Sequence, residues 1–171
     1  MKDYEIKMTI NRFREPNLEL QINLDDIEDT EQTSVELFVQ NTGRISATSA
    51  HFRVFIHEDF FSNCQGWYID KNISMYEDIP VVVLSCNIGN SEDNPAYRYE
   101  FYPGMKIPIS SKLDFNTIAL DLRKIPYRQR SQCEIPIFIE VYTSNMRSKK
   151  KKVLFKIDRI NRYHKVSEED Y

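Results

Sequence analysis

The chain has 171 residues, of which 41% are hydrophobic and 29% are charged, and its net charge is −3 at pH 7. This length suits one hydrophobic core, and the composition excludes a disordered or fibrous chain. The acidic balance gives the molecule no long-range attraction to nucleic acid or to an anionic membrane. We therefore predict a single β-sandwich domain over residues 1–160 and a charged, flexible tail over residues 161–171.

The choice of apolar residues favours strands over helices. Ten Tyr and ten Phe stand against only four Gly. Aromatic and β-branched side chains lose rotamer freedom in a helix and suit the pleated surface of a sheet. The composition alone predicts an all-β protein.

Several short segments alternate apolar with polar residues or form short apolar runs, as strands in a packed sheet do. In chain order they are 18–24, 35–39, 50–56, 79–84, 97–101, 106–110, 115–122, 135–141 and 153–157. We expect the 79–84 segment at a sheet edge, because Pro80 cannot donate to a ladder. Eight to nine short strands, with no amphipathic helix longer than about three turns, predict a two-sheet antiparallel sandwich of immunoglobulin-like type.

Residues 58–78 break this alternation but remain rich in large rings, so we expect a long ordered excursion. The rings are Phe60, Phe61, Trp67, Tyr68 and Tyr76. Rings without a partner pocket prefer burial, and these could close one end of the core. Exposed together, they would form an apolar patch of the kind that marks a partner or sugar site. We take them as the candidate ligand or partner surface.

The stretch from Val39 to Ile56 resembles a strand-turn-strand signature of bacterial immunoglobulin-like domains, including the group related to cell adhesion. Asn41 and Gly43 tolerate left-handed backbone in the turn, and Ala47 is small enough for the next strand to approach. The resemblance, over residues 39–56, implies an immunoglobulin-like sandwich and supports a fold rather than an activity.

A run of basic residues is the strongest local charge feature. Its members are Arg147, Lys149, Lys150, Lys151 and Lys152. We expect them in a hairpin between a strand ending near Tyr142 and one starting near Val153, where lysines keep a turn soluble and discourage edge pairing. The alternative is contact with a small anion or nucleic acid, helped by Arg123, Lys124, Arg128 and Arg130 if the loops lie at the same end of the sandwich.

No pattern supports metal binding or catalysis. The acidic loop at 25–31 lacks the glycine of an EF-hand, and His51 and His57 lack zinc-ligand spacing. Catalytic and phosphate-binding motifs such as GxSxG, GxGxxG and the P-loop are absent. Cys64, Cys86 and Cys133 form no CxxC pair and are expected to be reduced thiols. We expect no catalytic residue, no metal and no cofactor.

The leading hypothesis is a non-catalytic protein-interaction or accessory module whose partner is another protein, with no membrane insertion and no nucleic-acid role. The first residues lack a secretory pattern, and no run of about 18 apolar residues occurs, which predicts a cytoplasmic location. The alternative is a small-molecule or carbohydrate-binding sandwich that uses the 60–76 aromatic segment, and a third hypothesis is a hydrolase with a site assembled from loops. The oligomeric state stays open.

Overall fold

A computed structural model of the chain describes residues 15–24, 32–47, 49–88, 101–110, 116–143, 145–157 and 163–170. The predicted acidic loop at 25–31 and most of the predicted strand at 97–101 lie outside these residues. Within them are a short 3-10 helix and twelve strands. The helix is Tyr127–Gln132, and the strands are β1 (Leu18–Leu24), β2 (Gln32–Asn41), β3 (Ala50–His57), β4 (Phe61–Gln65), β5 (Tyr68–Asp70), β6 (Met75–Tyr76), β7 (Ile79–Ile88), β8 (Lys106–Ser110), β9 (Thr117–Asp121), β10 (Glu134–Thr143), β11 (Met146–Ile157) and β12 (Tyr163–Asp170).

The strands form two antiparallel sheets. The five-stranded sheet has the order β1-β2-β9-β4, and β8 also pairs with β2. The seven-stranded sheet has the order β12-β11-β10-β3-β7-β5, and β6 also pairs with β7. The predicted two-sheet antiparallel sandwich is confirmed. It has twelve described strands in place of eight or nine, because the 58–78 excursion contributes three short strands and the predicted tail contributes β12.

The main core lies between the two sheets and follows the predicted alternation. On β10, Ile135, Ile137, Ile139 and Val141 all face inward and are buried. The intervening Phe138 belongs to a second buried cluster. Because successive side chains of a strand point to opposite faces, this second cluster lies on the outer face of the seven-stranded sheet, the face turned away from the five-stranded sheet.

The segment with Pro80 is not at a sheet edge, so that prediction was wrong. Strand β7 lies between β3 and β5. Its pairing with β3 begins at Val81, one residue after the proline, so no ladder with β3 requires a donor from Pro80. The Pro80 carbonyl instead accepts the backbone N–H of Glu58 at 3.0 Å.

The predicted flexible tail differs from the structure, in which residues 163–170 form β12 and pair antiparallel with β11. Lys151 Nζ lies 2.6 Å from Glu168 Oε1 and 3.6 Å from Asp170 Oδ1. The same ammonium donates to the Leu20 carbonyl of β1 at 2.8 Å. The carboxylates of Glu168 and Asp170, which in the sequence suggest a solvated tail, therefore neutralise Lys151. This lysine in turn joins β11 to β1 of the other sheet.

Asn41 fixes the corner where the chain leaves β2. Its side chain is fully buried, and its Nδ2 donates to the carbonyls of Ile45 at 2.8 Å and Phe101 at 2.6 Å. Its Oδ1 accepts the backbone N–H of Gly43 at 3.0 Å. One amide thus satisfies backbone groups from the turn and from a segment 60 residues away.

We predict that Asn41→Ala lowers the free energy of unfolding by about 2–4 kcal/mol, because buried backbone groups left without a partner cost roughly 1–3 kcal/mol each. Urea unfolding followed by tryptophan fluorescence measures the change. Asn63→Ala, at an exposed asparagine on β4, serves as the control and should shift stability by less than about 0.5 kcal/mol. Equal effects of the two substitutions would contradict the role of Asn41.

A second prediction concerns how the stability of the fold depends on pH through Glu168. The hydrogen bond from Lys151 holds the pKa of Glu168 below its ordinary value. A lowered pKa in the folded state stabilises the fold at pH values above the ordinary carboxyl pKa, and this contribution is lost as the pH falls through the lowered value. Glu168→Gln should therefore reduce the stability difference between pH 7 and pH 3, by less than about 1 kcal/mol because the pair is partly exposed.

The same pH series of unfolding curves, recorded for Glu169→Gln, provides the control for this prediction. Glu169 neighbours Glu168 on β12 and has no ion pair among the described contacts. An unchanged pH dependence in Glu168→Gln, or an equal change in Glu169→Gln, would show that the Lys151 pair does not contribute.

Candidate binding face on the seven-stranded sheet

The outer face of the seven-stranded sheet is partly covered by the excursion. Phe55, Val81, Val83 and Phe138 are buried there, with Ile73, Tyr76 and Ile79 packed against them. The Tyr76 ring lies 4.2 Å from the Phe55 ring and 4.9 Å from the Phe138 ring, between centroids. The segment from 73 to 79 therefore acts as a cover for apolar side chains that would otherwise face water.

A tight turn carries this cover back into β7. Tyr76 pairs with Ile79 across it, and the two residues between them, Glu77 and Asp78, have φ angles of 48° and 62°. Left-handed backbone costs roughly 1–2 kcal/mol per non-glycine residue. Lys152 Nζ lies 3.6 Å from Glu77 Oε2, so the turn is also held to β11 by charge.

Glu140 lies at the centre of the polar part of this face, with only 4% of its side chain exposed. The hydroxyls of Tyr142 and Tyr76 donate to its carboxylate, the latter at 3.3 Å. Arg53 Nη1 lies 3.4 Å from Oε2, and Lys150 Nζ lies 3.4 Å from Oε1. A buried carboxylate requires such partners because desolvation of an unpaired charge costs several kcal/mol.

The charge of Glu140 shifts the pKa values of Tyr142 and Lys150. Burial raises the pKa of Tyr142, and the hydrogen bond and charge of Glu140 raise it further. The charge of Glu140 also raises the pKa of Lys150. Both shifts favour the forms present at neutral pH, a protonated phenol and an ammonium. Neither group is therefore set to exchange a proton near pH 7, as a general acid or base would be.

The register of the sheet extends this cluster into a row across five strands. Lys150 pairs with Glu140, Glu140 with Arg53, Arg53 with Ser85, and Ser85 with Tyr68. The row runs from β11 through β10, β3 and β7 to β5. It connects the buried carboxylate in the middle of the sheet to an exposed tyrosine at its edge.

We define the β5/β6 edge by Tyr68, Ile69 and Met75. Their side chains are 72%, 39% and 54% exposed. In the described part of the chain, only Tyr102 and Val166 are other large hydrophobic side chains of comparable exposure. Three of these five therefore lie within eight consecutive residues of the excursion.

The five predicted aromatic residues do not form one surface. Phe60 and Trp67 are buried in the main core, and Phe61 packs against it. Tyr76 packs on the outer face, and Tyr68 points to solvent at the edge. The prediction left core closure and an exposed patch open, and the structure divides the rings between these two roles.

The predicted basic residues lie within β11 and not in a hairpin loop, because that strand begins at Met146. The alternation of β11 sends them to opposite faces. Lys150 and Lys152 join the outer face beside Glu140 and Glu77, whereas Lys151 reaches the β1 side. Lys149 also turns to that side and donates to the Asn17 side chain. Arg147 is exposed near the start of the strand.

The ion pairs of these lysines count against the predicted anion contact. Lys150, Lys151 and Lys152 each lie within 4 Å of a carboxylate of the chain itself. An external anion would have to displace those carboxylates, so the structure does not gather the basic run into one open anion site. The anion contact remains a prediction that no contact of the described residues supports.

Three residues of the outer face, Arg53, Glu140 and Tyr142, were missed from the sequence. A signal was present: Glu140 is the only charged residue in the stretch 135–142, and Arg53 is likewise the only charge in 52–56. A lone charge within an apolar strand indicates a buried pair, because it is rarely tolerated there without a partner.

The remaining sequence features to compare with the described residues are the histidines, metal ligands and membrane-spanning segments. His51 Nδ1 lies 2.5 Å from Asn87 Oδ1, and His57 Nδ1 accepts the backbone N–H of Asp59 at 3.1 Å. No three His, Cys, Asp or Glu side chains of that part of the chain converge as metal ligands. It also holds no helix with the length and apolar character needed to cross a bilayer.

Comparisons with known proteins identify no family. No protein-family model matches the chain, and no curated protein matches it. Solved structures with a similar arrangement include beta-glucosidase 3B from Thermotoga neapolitana, with 14% identity, a TM-score of 0.33 and 91% of this chain covered but only 17% of that enzyme.

Two further structures resemble the chain at the same level. AvmM, which catalyses macrocyclization in alchivemycin A biosynthesis, has 10% identity and a TM-score of 0.40, with 92% of this chain and 87% of AvmM covered. A beta-glucosidase from Kluyveromyces marxianus has 17% identity and a TM-score of 0.33, with 88% of this chain and 14% of that enzyme covered. Similarity this low carries no argument about function.

We predict that Glu140→Ala lowers the free energy of unfolding by about 2–3 kcal/mol, because it removes the carboxylate between Arg53 and Lys150 and the acceptor of two hydroxyls. Thermal and urea unfolding measure the loss. Glu134→Ala on the same strand is the matched control: its pair with Lys156 is half exposed, so it should cost less than about 1 kcal/mol. Equal losses would contradict a special role for Glu140.

Proposed function

We propose that this chain is a non-catalytic protein-interaction module that engages a partner protein at its β5/β6 edge. The observation that carries the proposal is the concentration of exposed apolar side chains along this edge. Tyr68 lies on the outer face of the edge, and Ile69 and Met75 lie on the opposite face. Exposed apolar groups gathered in one place mark interaction sites, whereas scattered ones are ordinary. Tyrosine is also enriched among the residues that dominate binding energy at interfaces.

The backbone at this edge supports the same proposal. Among the described residues, β5 pairs with β7 alone. The other side of β5 thus presents N–H and C=O groups that a further strand can pair with, which is a recurrent mode of peptide recognition. The Tyr68 side chain stands beside this edge, where it can pack against an added segment.

Carbohydrate binding, the alternative hypothesis, has weaker support. A sugar platform built from the 60–76 segment would need several exposed rings. Phe60 and Trp67 are buried and Tyr76 is half-buried, so Tyr68 is the one fully exposed ring of the predicted set. An apolar edge with an open backbone fits a polypeptide better than a sugar ring.

We also propose a cytoplasmic site of action and an immunoglobulin-like strand arrangement. The three cysteines are free thiols, and burial raises the pKa of each of them, which fits a protein kept reduced. The immunoglobulin-like assignment rests on the resemblance at residues 39–56.

A photo-crosslinking amino acid placed at Tyr68 tests the proposed function. In extract of the native cell, we expect one adduct of defined mass at position 68. The control is the same group at Tyr102, which is 57% exposed but lies outside this edge. The adduct should disappear when Ile69→Ser and Met75→Ser are added, while the melting temperature stays within about 2 °C of the parent.

The absence of an adduct at position 68, or the same adduct at positions 68 and 102, would contradict the proposed function. Either result would mean that exposure alone, and not this edge, decides what the chain contacts.

A further inference from the structure

The segment that forms the β5/β6 edge is far more acidic than the rest of the chain. Between His57 and Pro80 there are five carboxylates and one lysine. The whole chain has a net charge of −3, so the acidic excess of this segment outweighs that of the entire molecule. The edge segment is therefore an acidic part of the chain, as the 25–31 segment also is.

The fold brings these carboxylates to the same end of the seven-stranded sheet. Glu77 and Asp78 occupy the turn between β6 and β7, and Glu77 is already paired with Lys152. Glu58 is joined to β7 by its backbone bond to Pro80, and Asp59 follows it. Asp70 is the last residue of β5. The exposed apolar side chains thus lie beside an acidic rim.

We propose that the partner contributes a cationic, extended segment that adds as a strand along the side of β5 with which no described strand pairs. This inference rests on the proposed function and names the class of partner. Backbone pairing would supply affinity, apolar side chains on one face of the segment would pack on Tyr68, and its Lys or Arg side chains would face the acidic rim.

Charge also selects against other occupants of this edge. An acidic segment would place like charges side by side, which destabilises paired strands. A second copy of the chain would bring the same acidic edge against itself and meet the same repulsion. A cationic segment is the one occupant that turns the charge of the rim into attraction and into faster association.

The probe for this inference is a fluorescein-labelled synthetic peptide of alternating Lys and Val. Fluorescence anisotropy should show binding that weakens at least tenfold between 50 and 300 mM NaCl, because salt screens exposed charges. A Glu and Val peptide of equal length should not bind. A Lys and Val peptide interrupted by proline should bind at least tenfold more weakly, because proline removes a ladder donor.

The matched protein variants separate charge from fold. Glu58→Gln, Asp70→Asn and Asp78→Asn together should weaken binding at least tenfold, and asparagine tolerates the left-handed backbone at position 78. Glu15→Gln, Glu36→Gln and Glu169→Gln remove three carboxylates elsewhere and should leave binding within twofold. Shift perturbations in NMR spectra of the bound protein should centre on residues 68–78.

Equal binding of the Lys and Glu peptides, or unchanged binding by the triple variant at 58, 70 and 78, would overturn this inference. The Tyr68 crosslink distinguishes it from the proposed function. If the adduct forms equally in the triple variant, the interaction edge is supported and the cationic partner is contradicted. If no adduct forms at all, the proposed function is contradicted.

Discussion

The packing of Tyr76 on the outer face holds the β5/β6 edge in place. Two successive left-handed residues follow it, at a cost of roughly 1–2 kcal/mol each. Full burial of a large side chain contributes about 1.5–3 kcal/mol. The half-buried Tyr76 gains part of this, and its hydroxyl adds a bond to Glu140. These terms are of similar size, so the turn persists because the tyrosine beside it is anchored and not because its own residues favour the conformation.

This anchor in turn requires a charge within the sheet. The Tyr76 hydroxyl needs an acceptor, and Glu140 supplies one at a position where only 4% of its side chain meets solvent. The carboxylate then needs cations, which Arg53 and Lys150 bring from the strands on either side. An apolar residue at 140 would avoid the desolvation cost, but it would leave two hydroxyls without their acceptor. The row of charges therefore couples the excursion to three strands of the sheet.

Most strands could be predicted from the sequence, because alternation is a local consequence of burying one face. The segments 18–24, 50–56 and 135–141 follow that pattern. They form β1, most of β3 and the central residues of β10. The site could not be predicted in the same way, because Glu140 is 64 residues from Tyr76 and meets it only through strand pairing. The lysine run suggested a solvated hairpin because the carboxylates that neutralise it are on neighbouring strands β10 and β12 and in the turn after β6, and only the fold brings them to it.

Amide hydrogen exchange in the variant Tyr76→Ala tests most directly whether this anchor holds the edge. The backbone N–H of Val81 donates to the Ser74 carbonyl at 2.9 Å, which makes it a reporter of whether the 73–79 cover stays on the sheet. The account predicts that exchange at Val81 and along β5 becomes at least tenfold faster than in the parent chain, while the centre of β10 keeps its protection. Unchanged exchange at Val81 and β5 would contradict it.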